Sequence, residues 1–446
     1  MLLKKKTVTV IGLSESGMSA AKLLQKIGAR VRVSEISDTE PVRKKIHLLG
    51  DIECELGKHT DAFIDRSDIV VTSPGVPADS APLRRARARS IPVIGEIELG
   101  YMYCRAPIIA VTGSNGKSTT ATMIHHILRF NKLKSHLLGN IGKPFCGEAL
   151  SIKEDAVVVL EVSSFQLETI GLFKPYISVL LNITEDHLDR YDDMRQYTEA
   201  KSLVFKNQDS NTHAILNRDN ENVMNIAKYV KSKIHYYSTR NEGTSGFLKN
   251  GKLFVDVGKG KSVVCKRSDI PLPGMYNIEN VLASSMAAKL IRDEIDIAGA
   301  LPSFRGLRHR FELVRDLRGI KFVDDSKSTT VDSTLRALET FRKRNVILIA
   351  GGKDKGGDYS ILLGQIGKIK HMVLIGQAKD IIRKSLGNIS APVQESEGIE
   401  EAVEFSNRLA KRGDTVLLSP MCSSYDMFQD YKERGDAFRR AVGRLK

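Results

Sequence analysis

Residues 107–130, PIIAVTGSNGKSTTATMIHHILRF, constrain this chain more than any other stretch. Ile108, Ile109, Ala110 and Val111 form a short continuous apolar run, the pattern of a parallel strand buried on both faces. Thr112, Gly113, Ser114, Asn115 and Gly116 follow as a turn of small residues, and Lys117, Ser118 and Thr119 open a helix. Ala121, Ile124, Ile127 and Leu128 give that helix an apolar face at helical spacing. Such a turn aims several backbone N–H groups at one point beside the positive end of the helix dipole, which suits phosphate. Lys117 is placed to reach the outer phosphates, and the Ser118 hydroxyl to ligate Mg²⁺. The strict P-loop pattern has a glycine where Val111 stands, but strand, turn and Gly-Lys-Ser occur in the required order. These residues predict a chain that binds a nucleoside triphosphate.

At 446 residues the chain is too long for a single core, so several domains are expected. Its apolar runs, such as 156–160 and 346–350, are too short to span a bilayer. Lys4, Lys5 and Lys6 lead straight into a strand rather than a cleavable leader, so a cytoplasmic location without membrane insertion is expected. The five cysteines are scattered, with no CxxC pair, which argues against a disulfide framework or a zinc site. His125 and His126 are adjacent on a helix and diverge by about 100°, so they are poor joint metal ligands. The net charge of +15 could signal nucleic acid, but the basic residues are spread along the chain without interleaved aromatics. Attraction of polyanionic small substrates explains the sign equally well, so no nucleic acid is expected.

Taken in order, the chain opens with a strand from Thr7, a Gly12-x-Ser14-x-x-Gly17 turn, a helix to about Ile27, and a second strand ending at Glu35. This is a Rossmann-like βαβ unit. Its second fingerprint position is Ser14, where backbone must approach a pyrophosphate, so the usual nicotinamide pose is disfavoured. Strands at 68–72 and 91–94 end in further glycine turns. In the central part, 157–160 runs into Glu161, and 177–181 runs into Asn182, Asp186 and His187. Ligands of open parallel sheets lie beyond the carboxyl ends of the strands, which makes Glu161 and His187 candidate Mg²⁺ ligands. Lys201 reads as a solvated helix lysine. Asn277 and Asn280, three apart on a small-residue helix, suit either helix capping or hydrogen bonding to a purine. The last part alternates strand, polar strand end and helix again, and carries Asp325, Lys327, Lys355 and Ser424, a set suited to an anionic substrate. The expected fold is therefore α/β in three domains: Rossmann-like over 1–103, a P-loop mononucleotide-binding domain over 104–303, and Rossmann-like over 304–446.

The motifs TGSNGKST at 112–119, GNIG at 139–142, EVSSFQLE at 161–168, NITEDHLDRY at 182–191, HRFE at 309–312, DDSKST at 324–329, GGKDKG at 351–356 and SPMCSSYDMF at 419–428 occur together. With SPG at 73–75, Ala200-Lys201 and the Asn277/Asn280 pair, they make the chain resemble the ATP-dependent Mur ligases of peptidoglycan synthesis from end to end. EVSSFQLE and the SPMCSSYDMF block resemble the branch that adds D-glutamate, and Val111 is usual for the family. The resemblance implies a ligase joining D-glutamate to UDP-N-acetylmuramoyl-L-alanine, with ATP, two Mg²⁺ ions and a monomeric state expected.

Site roles follow from the same resemblance. Thr112, Gly113, Ser114, Asn115, Gly116, Lys117, Ser118 and Thr119 would hold the ATP phosphates, with Asn277, Asn280, Arg310 and Asp325 around the nucleotide. Ser118 and Glu161 would hold one Mg²⁺; His187 and Lys201, the latter as its carbamate, would serve the second. Ser14, Ser16, Gly75, Asn140, Ser163 and His187 resemble contacts to the UDP-muramoyl substrate. Thr329, Lys355, Ser424, Tyr425 and Tyr431 match positions around the incoming amino acid, with Lys327 joining Lys117, Glu161, His187 and Lys201 among the catalytic groups. Position 431 carries Tyr where the family pattern has Phe. The rival readings are a sibling ligase adding another amino acid, a folylpolyglutamate synthase-like ligase, a nicotinamide oxidoreductase and a P-loop switch without ligation.

Overall fold

A computed structural model describes residues 3–186, 190–258 and 260–446. Three sheets succeed one another along the chain. The first contains β1 (Thr7–Ile11), β2 (Arg30–Glu35), β3 (Glu53–Leu56), β4 (Ile69–Thr72) and β5 (Val93–Gly95), all parallel in the order 3-2-1-4-5. Val8 and Val10 of β1 pack with Leu23, Leu24 and Ile27 from helix Glu15–Lys26 and its end, while Ile11 packs with Ile64, Val70 and Leu83. Because the strand is covered on both sides, even Thr9 of its Thr-Val-Thr-Val run is buried, its hydroxyl meeting Ser67 Oγ at 2.6 Å.

The second sheet holds β6 (Ile108–Thr112), β7 (Ser135–Gly139), β8 (Val157–Glu161), β9 (Ile177–Leu180), β10 (His213–Asn217), β11 (Lys233–Ser238), β12 (Gly246–Lys249), β13 (Lys252–Val255) and β14 (Ser262–Lys266). Its order is 14-13-12-11-10-9-6-8-7, so β6 lies between β8 and β9, with Val111 opposite both Glu161 and Val179. The two strands whose ends carry the ionisable cluster are thus the immediate neighbours of the phosphate-loop strand. β12 to β14 form an antiparallel meander. Its first turn is Asn250-Gly251, both at positive φ (48° and 69°), the backbone that a two-residue hairpin requires.

The third sheet contains β15 (Glu312–Leu317), β16 (Ile320–Asp324), β17 (Val346–Gly351), β18 (Ile369–Ile375), β19 (Val393–Glu395) and β20 (Thr415–Leu418), ordered 15-16-20-17-18-19. Only β15 runs antiparallel. β17 is buried throughout and divides two apolar clusters, Leu348 and Ala350 facing one, Ile347 and Ile349 the other.

The described residues gather into two compact units. One is Met1–Ile183, Arg195–Asp269 and Glu279–Leu301; the other is Thr184–Met194, Ile270–Ile278 and Pro302–Lys446. Within the first unit, the short helix Glu96–Tyr101 joins the first sheet to the second through two buried carboxylates. Glu98 accepts the backbone N–H groups of Gly171, Leu172 and Phe173 at 2.8, 2.7 and 2.9 Å. Glu96 accepts the Cys146 N–H at 2.6 Å through Oε1, while its Oε2 is buried without a partner among the described residues.

Burial pushes the Glu96 carboxyl from 4.5 up to about 7. Because the folded pKa lies above the unfolded one, the folded chain binds more protons across that window. Stability is therefore full below 4.5 and declines as pH rises through about 7. Glu96→Gln keeps the acceptor for Cys146 and removes the charge. It is expected to flatten this slope and to exceed the parent by about 1–3 kcal/mol at pH 8. Urea midpoints of both proteins at pH 5 and pH 8 check it; parallel pH profiles would assign the titration to another group.

Candidate active site

At the end of β6 the chain turns through Gly113 (φ 147°) and Gly116 (φ 87°) into helix Lys117–Phe130. A Cβ on Gly116 would lie 2.6 Å from Asn280 Oδ1, and one on Gly113 would lie 3.1 Å from Leu181 Cβ. Both positions therefore need glycine for backbone angle and for space. Asn182, just past β9, braces the turn. Its Oδ1 accepts the Asn115 N–H at 2.8 Å, its Nδ2 donates to Asn115 O at 3.1 Å, and its carbonyl accepts the Ser114 N–H at 2.9 Å. Because the residue before Lys117 is glycine, no side chain caps the helix, and its N-terminus is built to meet an anion. Lys117 Nζ donates to Gly113 O and Ser114 O, each at 2.8 Å. Gly116→Ala is expected to cost about 1–3 kcal/mol in stability and to reduce nucleotide affinity by more than tenfold, as read by ADP titration calorimetry beside a melting curve.

Two further groups converge on this turn. Glu161 closes β8 at 2% exposure; its Oε1 accepts Asn140 Nδ2 at 2.8 Å, and its carbonyl accepts the Asn140 N–H at 2.9 Å. Among the described residues, Glu161 Oε2 is buried with no hydrogen-bond partner. A buried, half-satisfied carboxylate is costly unless a cation completes it, so this oxygen beside the phosphate-loop strand fits a Mg²⁺ ligand. Ser118, buried in the first turn of the helix, supplies a hydroxyl of the right type.

Lys201 differs from its sequence reading. It is not solvated: at 1% exposure it donates from Nζ to Gly113 O at 2.9 Å, and Nζ stands 4.5 Å from the centre of the Tyr197 ring. The physical reason is that helix Met194–Ser202 turns Tyr197, Ala200 and Lys201 inward. Tyr197, one helical turn earlier, is fully buried and its hydroxyl meets Ser114 Oγ at 3.1 Å. Thr120 Oγ1 donates to Asn280 Oδ1 at 3.1 Å, joining the phosphate-loop helix to helix Met275–Ile291. His187 lies outside the described residues.

In the first sheet, the Gly12–Gly17 turn is drawn tight, since a Cβ on Gly17 would fall 1.9 Å from Gly12 O. Ser14 sits at the start of helix Glu15–Lys26 without a side-chain cap bond, Ser16 lies in that helix's first turn, and Gly75 has open space around its Cβ position. Glu35 takes the Leu13 N–H at 2.6 Å and the Ser37 N–H at 2.9 Å, one on each oxygen. In a dinucleotide site an acid here accepts from ribose hydroxyls; this one is engaged by its own backbone. Ser163 caps helix Ser164–Leu167 in a capping box with Gln166.

In the second unit, Asp325 follows β16 and accepts three donors: the Phe311 N–H at 3.0 Å, Ser328 Oγ at 2.6 Å and Ser419 Oγ at 3.0 Å. Burial nevertheless pushes its carboxyl up to about 7. His309 (φ 63°) bonds through Nδ1 to Asp324 at 2.7 Å, flanking Arg310. Asn277 donates to Pro273 O at 2.6 Å in the first turn of its helix. Lys327 Nζ stands 3.9 Å from the centre of the Tyr431 ring, a contact that Phe or Tyr would make equally. Thr329 and Lys355 line one small cleft of about 70 Å³ with Asp186 and Tyr359. Ser424 is buried and caps two backbone N–H groups with its carbonyl, while its neighbour Tyr425 is 70% exposed.

Arg434, absent from the sequence reading, clips these loops together. It donates to Ser326 Oγ and O at 3.0 and 2.7 Å and to Cys422 O and Ser423 O at 3.1 and 3.2 Å. Burial lowers its pKa to about 10. Asn182 and Tyr197 were also missed as site residues. The spacing of Tyr197 four residues before Lys201 was the available signal for the latter.

Comparison with known proteins gives a consistent picture. Family models match as Mur ligase MurD-like, N-terminal domain, over residues 6–95, as Mur ligase middle domain over 111–288, and as Mur ligase, glutamate ligase domain, over 309–422. A UDP-N-acetylmuramoylalanine--D-glutamate ligase of Geotalea daltonii is 41% identical, covering 100% of this chain and 99% of its own. One from Pelotomaculum thermopropionicum is 38% identical over 99% and 98%. Among solved structures, MurF of Thermotoga maritima in complex with ADP aligns with a TM-score of 0.63 at 16% identity, covering 99% of this chain and 96% of that one. The folylpolyglutamate synthase of Mycobacterium tuberculosis, complexed with ADP, reaches 0.58 at 13% identity over 78% and 93%. These structural likenesses extend to the fold.

Proposed function

The chain belongs to the Mur ligase family, and from that premise we propose that it joins D-glutamate to UDP-N-acetylmuramoyl-L-alanine using ATP, in the making of peptidoglycan precursors. The observation that carries the reading is full-length identity of about 40% to ligases named for that reaction. The phosphate loop agrees with it. A folate ligase is disfavoured, because residues 6–95 match a MurD-like N-terminal domain. A nicotinamide enzyme is disfavoured by Glu35, whose two oxygens are held by backbone amides.

The proposed chemistry has two steps. The terminal alanine carboxylate attacks the γ-phosphorus of ATP, breaking its bond to the bridging oxygen and giving an acyl phosphate and ADP. The D-glutamate amine then attacks the acyl carbon, and phosphate leaves from a tetrahedral intermediate. Lys117 and the N–H groups of the turn hold the phosphates and offset the repulsion between the two anions. Mg²⁺, held by Ser118 and Glu161 and by His187 with carbamylated Lys201, would supply charge neutralisation at the γ-phosphoryl group. A neutral or anionic Lys201 suits a metal where an ammonium repels it. Asp325, Arg310, Asn277 and Asn280 are assigned to the nucleotide; Ser14, Ser16, Gly75, Asn140 and Ser163 to the UDP substrate; Lys327, Thr329, Lys355, Ser424, Tyr425 and Tyr431 to the incoming amino acid. Among the described residues no helix is long and apolar enough to cross a membrane.

The test is phosphate release with ATP, Mg²⁺ and UDP-N-acetylmuramoyl-L-alanine, adding D-glutamate, L-glutamate, lysine or diaminopimelate separately. Release strongest with D-glutamate, with the matching product mass, is expected. Preference for another amino acid would keep the mechanism and move the selectivity to Thr329, Ser424 and Tyr431.

A further inference from the structure

A groove of about 480 Å³ opens beside helix Met194–Ser202, between it and helix Glu221–Ala227 with the segment that follows. This lies within the range of small-molecule sites. Leu203, Phe205, Ile226 and Val230 give it an apolar lining, and Tyr229 at its rim is 74% exposed. Three of its lining residues are Lys206, Lys228 and Lys231. Lys206 donates to Ile170 O at 3.3 Å, and Lys228 Nζ stands 5.1 Å from the Tyr229 ring centre. None of the three forms a salt bridge among the described residues. Glu199, the acidic residue of the lining, lies 3.8 Å from Arg195 one helical turn away. An apolar hollow rimmed by cations without carboxylate partners is complementary to an apolar body bearing one negative charge.

We propose that this groove binds a small amphipathic anion, an aromatic or aliphatic body with one sulfonate or carboxylate, and that its occupancy is coupled to the phosphate loop. The coupling follows from Thr198, Glu199 and Ser202, which line the groove and flank Lys201 in the chain. Lys201 holds Gly113 O of the phosphate loop, so a ligand that displaces this helix displaces a loop carbonyl. The coupling rests on the nucleotide role assigned to that loop; the binding site itself does not.

The chain has no tryptophan, so Tyr229→Trp places a single energy-transfer donor at the rim. The probe is 8-anilinonaphthalene-1-sulfonate, and the control is N-phenyl-1-naphthylamine, the same body without the sulfonate. Saturable one-site binding of the sulfonate with energy transfer from the introduced indole is expected. Lys228→Glu with Lys231→Glu should weaken it by at least about tenfold while leaving the neutral dye within about twofold. Saturating sulfonate should shift ADP affinity by at least about threefold in the parent and not in the double variant. Equal binding of the two dyes, undiminished sulfonate binding in the double variant, or lack of energy transfer would overturn the site. An unmoved ADP affinity would overturn the coupling. Failure of ADP to bind at all would instead strike the nucleotide reading.

Discussion

Lys201→Ala is expected to lower turnover by on the order of 10³-fold while the protein remains folded. The amine lies at the phosphate loop, buried over Tyr197 and bonded to Gly113 O. As an ammonium it would repel Mg²⁺, whereas its carbamate would bind the ion as a carboxylate does. Alanine removes that ligand and one hydrogen bond to a loop carbonyl, which should cost about 1–3 kcal/mol and leave the surrounding sheet standing. Turnover and thermal unfolding measured together separate the two effects. The parent should also gain the mass of one carbon dioxide at this residue and lose activity when bicarbonate is stripped. Near-normal turnover in the alanine variant would remove the carbamate from the mechanism.

Glu161→Gln is expected to lower turnover by about 10²–10³-fold and to make the protein equally or more stable. Glutamine retains the shape and the oxygen that accepts Asn140 Nδ2. What it removes is the charge on Oε2, buried without a partner among the described residues. Relief of an unpaired buried charge stabilises a fold, while loss of a metal ligand slows a phosphoryl transfer. Opposite movements of melting temperature and turnover mark a site whose composition serves chemistry rather than folding. A fall in both would recast Glu161 as part of the structural frame.

Much of the nucleotide half could be read in advance because its signal is local. The apolar run of β6, the glycines at positive φ and Gly-Lys-Ser lie within one short stretch, each reporting on its own backbone. Glu161 and the end of β9 could be placed beside the loop from the strand-end rule alone. Lys201 could not, since a lysine on a polar helix is soluble by default and its burial depends on the partners that the helix meets. The β12–β14 meander was missed although Asn250-Gly251 is a strong hairpin signal; the flanking strands are only four residues each. Segments Thr184–Met194 and Ile270–Ile278, distant in sequence from 302–446, group with it in space. No local pattern encodes such an exchange, because it is decided by tertiary contacts.

The pinning of Asn115 by Asn182 bears on chemical ageing. Asparagine followed by glycine is the dipeptide most prone to deamidate, because the glycine amide nitrogen can swing onto the side-chain carbonyl and close a succinimide. The chain has two such dipeptides, Asn115-Gly116 in the phosphate loop and Asn250-Gly251 at a hairpin tip. Asn115 has both its N–H and its carbonyl held by one amide side chain, which denies the backbone that swing. The brace that shapes the loop thus also protects it over time, and stored protein should deamidate first at the exposed hairpin tip, a change that peptide mass mapping would locate at Asn250.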